Sequence, residues 1–92
     1  MTLLTEDEIA ARLERADSWE RAGKAISRTV TLGDFREAML YVGAVAYLAE
    51  AANHHPDIAI SWNRVTLTLS THSAGGLTDA DFALAERINS LR

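Results

Sequence analysis

The protein has three histidines, and all fall between residues 54 and 72: His54 and His55 side by side before Pro56, and His72 at the far end of the same stretch. Imidazole has an unperturbed pKa close to neutrality, so several rings gathered at one place point to acid/base chemistry. Two neighbouring imidazoles settle in opposite protonation states, because like charges at close range disfavour each other. Such a pair can deliver one proton and remove another. The chain between the histidines decides whether they meet.

Ile58, Ile60 and Trp62 alternate with Ala59 and Ser61, and Val65, Leu67 and Leu69 alternate with Thr66, Thr68 and Ser70. Both runs have the period of a strand with one buried face. Asparagine tolerates positive φ, so Asn63-Arg64 predicts a two-residue hairpin loop. That loop pairs Trp62 with Val65, Ile60 with Leu67 and Ile58 with Leu69, apolar against apolar. Extended outward, it sets His55 opposite His72, where facing Cβ atoms lie roughly 4.5–5.5 Å apart. Pro56 cannot donate to the ladder, so proximity is expected there and not a formal pair.

The remaining elements follow from local signals. Thr5 and Glu8 form a capping box, with Leu4 and Ile9 as its staple, opening a helix from about Glu6 to Ala16. Trp19 starts a short strand, Ala22-Gly23-Lys24 turns, and Ala25 to Leu32 is a second strand. Arg28 falls on that strand's apolar face, near an edge or reaching out along its stem. Asp34 and Glu37 open a long helix over residues 35–52, and Ala38 to Ala49 hold no charged residue. Twelve residues are too few to span a bilayer. A helix apolar all round is buried all round, so its outer side predicts a partner subunit, with Gly43, Ala44 and Ala46 permitting close approach. Complete flanking by the other two helices is the alternative. Thr78 and Asp81 form a second capping box, with Leu77 and Phe82 as its staple, for a last helix to about Leu91. The order α-β-β-α-β-β-α predicts an α+β fold: a four-stranded antiparallel sheet with three helices packed on one face and a Thr/Ser-rich face in solvent.

Ninety-two residues suffice for one domain, 1–92, and an apolar share of 48% supports a core. A net charge of −4 and a pI near 5.2 argue against direct nucleic-acid binding. There is no cysteine, which excludes thiolate metal sites. Met1-Thr2-Leu3-Leu4 leads into acidic residues and does not read as a signal peptide, so the cytoplasm is expected.

Glu50-x-x-x-His54-His55-Pro56, then Trp62, then Leu67-x-Leu69-x-Thr71-His72 resembles the signature of the pterin-4a-carbinolamine dehydratases. Trp19, Asp34-Phe35 and Gly76-Leu77-x-x-x-Asp81 also fall where that family has them, so the resemblance covers nearly the whole chain. Many relatives carry Asp and Tyr where Asn53 and Trp62 stand here. The resemblance implies conversion of 4a-hydroxytetrahydropterin to quinonoid dihydropterin and water, which recycles the cofactor of aromatic amino-acid hydroxylases. It implies His54, His55 and His72 as catalytic residues and Asp81 beside them. Glu50, Pro56 and Trp62 join as substrate-binding or orienting residues. It also implies a dimer or tetramer built through the long helix and the sheet edges. No metal or other cofactor is required. Loss of water needs a proton on the leaving hydroxyl and removal of one from the adjacent ring nitrogen; His55 and His72 are expected as that pair, with His54 against the pterin.

Other readings differ in what they ask of the same residues. Three histidines with Glu50 or Asp81 could hold zinc, although His54 and His55 should diverge. Asp81 is expected as a cap as much as a site residue, and Trp19 and Trp62 more as core or hairpin residues than as substrate platforms. Gly75-Gly76 is too short for a phosphate loop. A non-catalytic assembly or regulatory module on the same fold is the alternative function.

Overall fold

The computed structural model describes residues 2–92; Met1, the first residue of the expected domain, lies outside the described residues. Helix α1 spans Glu6–Arg15, strand β1 Glu20–Ala22, β2 Ala25–Thr31, helix α2 Phe35–Ala52, β3 Asp57–Ser61, β4 Arg64–Leu69 and helix α3 Asp79–Asn89. This is the expected order, and the strands form one antiparallel sheet in the order β1-β2-β4-β3 with the helices on one face.

Local chemistry sets the helix ends. Thr5 and Glu8 close their capping box, as do Thr78 and Asp81. Asp34 caps α2 by accepting from the Glu37 N–H at 2.8 Å, while the Glu37 carboxylate accepts from the Gly33 N–H. At its far end α2 stops because Asn53 turns left-handed, with φ 50°. Its N–H bonds back to the carbonyls of Ala49 and Glu50, and Pro56 then directs the chain into β3.

The core lies between sheet and helices. Ile26, Val30, Val65, Leu67 and Leu69 come from the sheet, Val45 from α2, and Phe82, Leu84 and Ile88 from α3. On the opposite face Thr29 and Thr66 bond each other at 3.0 Å, as on a solvated surface. Arg28 sits on the helix side of β2, which is an inner strand and not an edge. Its guanidinium reaches along its stem to the Asn89 side-chain oxygen Oδ1 at 2.5 Å and to the Arg92 backbone carbonyl, where α3 ends and a cation suits the helix dipole. Trp19 is a core residue, its indole N–H donating to the same Asn89 oxygen.

One expectation needs correction. The β3–β4 register is Ser61 to Arg64, Ile60 to Val65 and Ile58 to Leu67, two residues from the one expected. The turn residues are Trp62 and Asn63, and Trp62 takes the positive φ, 53°. Asn63 is needed elsewhere: its side-chain amide donates to the Leu32 carbonyl, and its own carbonyl accepts from the Leu32 N–H. A slip of two preserves which side chains face the helices, so the apolar pairing still holds. On α2 the structure removes the alternative of complete flanking. The flanking helices do not cover it: Leu40 and Tyr47 are 68% and 75% exposed, and Phe35 and Met39 are also open. Ile58 and Ile60, on edge strand β3, lack a helix above them as well. No helix among the described residues is long and apolar enough to cross a membrane.

Candidate active site

The end of α2, the start of β3 and the segment after β4 converge on one open cleft of about 240 Å³. It is lined by Asn53, His54, His55, Ser70, Thr71, His72 and Ser73, so all three histidines share it. The left-handed turn at Asn53 places His54 at the helix exit, where its N–H still bonds the Ala49 carbonyl at 3.1 Å. His55 already belongs to the extended chain before Pro56, and the two rings part.

They part toward different carboxylates. His54 Nε2 lies 2.6 Å from Asp81 Oδ1, and that side chain is fully buried. The other Asp81 oxygen, Oδ2, accepts from the Thr71 hydroxyl and from the Thr78 N–H, each at 2.9 Å. Asp81 thus acts in two directions: one oxygen closes the start of α3 while the other meets a ring of the cleft. With a carboxylate as acceptor, the network assigns the hydrogen of a neutral His54 to Nε2 and leaves the lone pair on Nδ1. His55 Nε2 meets Glu50 Oε2 at the surface, with His55 57% and Glu50 77% exposed.

Among the described residues no carboxylate pairs with His72. A compact turn presents it. The Thr71 N–H donates to the Gly76 carbonyl at 2.9 Å, and the Thr71 carbonyl accepts from Ala74 and Gly75. Gly75 takes φ 78°, a conformation that suits glycine. Carried outward, the observed register sets His55 level with Ser70 and not with His72. The cleft gathers the rings without the expected cross-strand pair.

Of the other expected site residues, Glu50 flanks the cleft through His55, and Pro56 joins His55 to β3 without lining it. Trp62 is not at the site. It is 67% exposed at the opposite end of β3, five strand residues away at about 3.3 Å each. Among the described residues no three His, Asp or Glu side chains are arranged to hold a metal ion, since the two adjacent rings turn to separate carboxylates. Thr71 was missed as a site residue, though it carried a signal. It continues the inward series Val65, Leu67, Leu69, so a polar group there is buried and must find a partner.

These residues lie within a match over residues 2–91 to the family model described as pterin 4 alpha carbinolamine dehydratase. The chain belongs to the pterin-4-alpha-carbinolamine dehydratase family. Relatives whose names place them in it include one from Thermomicrobium roseum, 50% identical over 91 residues that cover 99% of this chain and 98% of that protein. Another, from Nocardia farcinica, is 52% identical and covers 97% and 94%. In structure the chain is similar to a transcriptional coactivator/pterin dehydratase from Brucella melitensis, with a TM-score of 0.93, 35% identity and 98% of each chain covered. A pterin dehydratase-like protein identified as a RuBisCO assembly factor in the alpha-carboxysome matches less closely, with a TM-score of 0.68, 27% identity and coverage of 80% and 88%.

Proposed function

We propose that this chain is a hydro-lyase that removes water from 4a-hydroxytetrahydropterin to give quinonoid dihydropterin, with His54, His55 and His72 as its catalytic residues. The observation that carries this reading is the shared cleft, in which one ring is fixed on a buried carboxylate and two stand in solvent. His54 is suited to the base. With its Nε2–H held by Asp81, Nδ1 accepts the proton of the ring nitrogen. The nitrogen electron pair then forms the C=N bond as the C4a–O bond breaks. The leaving hydroxyl takes a proton from His72 or His55, both of which exchange freely with water, and departs as water. This differs from an acid/base pair of His55 and His72, and the burial of the His54–Asp81 contact is the reason. Asp81 orients His54, and Glu50 orients His55. Single His→Ala variants, assayed by the rate of 4a-hydroxytetrahydropterin dehydration, test the assignment: full activity in all three folded variants would sink it.

We propose a homo-oligomer, dimer or tetramer, assembled through the open side of α2 and the β3 edge, in the cytoplasm, with residues 1–92 as one domain. A second reading keeps the fold and drops the chemistry. The assembly-factor relative favours it, since that protein shares the fold at 27% identity. It expects a purified chain without dehydration activity that is recovered in a stable complex with another protein. The intact set of three histidines favours the enzyme.

A further inference from the structure

Thr71 is 5% exposed and sits where two of the histidines are controlled. Its hydroxyl donates to Asp81 Oδ2 at 2.9 Å and lies 2.8 Å from the Thr78 hydroxyl. Its backbone closes the turn that presents His72, donating to Gly76 and accepting from Ala74 and Gly75. The terminal torsion of a carboxylate is broad, so an oxygen held by a single donor can swing off its partner and carry the other oxygen with it. The Thr71 hydroxyl and the Thr78 N–H, both on Oδ2, remove that freedom, so Oδ1 faces His54 Nε2. The chain of contacts runs from Thr71 to Asp81 to His54, with no part of it at the surface until the ring reaches the cleft.

We infer that Thr71 is a positioning residue for dehydration: its hydroxyl orients Asp81 and thereby holds His54 as the Nε2–H tautomer, with Nδ1 free to accept the substrate proton. This rests on the proposed base role of His54. A methyl in place of the hydroxyl takes one donor away from Oδ2, so Asp81 can turn and the ring can flip. Groups of this kind, one step removed from the reacting residue, typically change activity by about 10–100-fold.

The test uses the intact protein and two readouts: ring 15N chemical shifts of His54 in its neutral form, and kcat for 4a-hydroxytetrahydropterin dehydration. The wild-type ring should show a protonated Nε2 and an unprotonated Nδ1. Thr71→Val should give mixed tautomers and a kcat lower by about 10–100-fold, and Thr71→Ser should restore both. Thr71→Ala provides the same comparison should the valine prevent folding. A wild-type His54 protonated on Nδ1, or a hydroxyl-free variant whose His54 shifts match wild type, overturns the inference. So does a variant with mixed tautomers and unchanged kcat. His54→Ala, measured alongside, separates the failures. If it retains wild-type kcat, the base role falls while the tautomer measurement still judges the Thr71–Asp81–His54 link on its own.

Discussion

His54 and His55 are neighbours in sequence but differ in what stands behind them. Asp81 is sealed from water and bonded on both oxygens, whereas among the described residues the Glu50 carboxylate is held by its contact with His55 at the surface. Exposed pairs are screened by salt and are worth about 1 kcal/mol or less, while a buried hydrogen-bonded carboxylate acts at short range in a low dielectric. Glu50→Gln should therefore change kcat by no more than a few-fold, and Asp81→Asn by about 100-fold, because an amide can offer the ring a donor where it needs an acceptor. Parallel steady-state assays check the contrast; equal losses would mean that burial does not rank the two carboxylates. Among the single alanine variants, His54→Ala should show the largest loss, about 10²–10⁴-fold. A larger loss at both His55 and His72 would return the base role to that pair.

At the scale of the elements, α2 holds a polar group with nothing to bond. Among the described residues the Tyr41 hydroxyl is buried without a hydrogen-bond partner. Burial pushes its pKa above the ordinary 10.0, partly offset by the charges of Arg28 and Arg92. The folded chain thus keeps a proton that the unfolded chain loses, and stability falls as pH rises from about 10 through the raised value; below that window the group is neutral in both states. Tyr41→Phe should leave neutral-pH stability unchanged or raise it by up to about 1 kcal/mol, and should move the alkaline unfolding midpoint upward. Circular dichroism against pH measures both; an unmoved alkaline midpoint would contradict the burial argument. The helix starts were legible in the sequence because capping is local: Thr5-Glu8, Asp34-Glu37 and Thr78-Asp81 each carry their own geometry. The hairpin register was legible only in parity. Alternation says which side chains face inward, and any slip by two satisfies it equally. In the observed register Asn63 makes two hydrogen bonds with Leu32, a contact across more than thirty residues that no local pattern contains. The same holds for the site: its histidines were legible as residue types, while the Asp81–Thr71 hold on His54 depends on the sheet end meeting the start of α3.

For the whole molecule, Leu40 and Tyr47 on α2 and Ile58 and Ile60 on β3 leave large apolar side chains in water. Exposed apolar area of this kind marks association. Leu40→Glu or Tyr47→Glu should leave the chain folded and reduce its mass in sedimentation to that of a smaller species, whereas Val45, fully buried against the core, should not tolerate a charge at all. Unchanged sedimentation in both exposed variants would count against self-association through this surface. Asp81 bears on descent as well. It begins α3 and it grips His54, so a lineage cannot drift away from dehydration at that position without also loosening a helix. A sequence abandoning this chemistry for another task has an easier path through Glu50, His55 and His72, whose loss disturbs no capping bond. Kin that no longer turn over pterins should be recognisable by keeping the aspartate while shedding the solvent-facing rings.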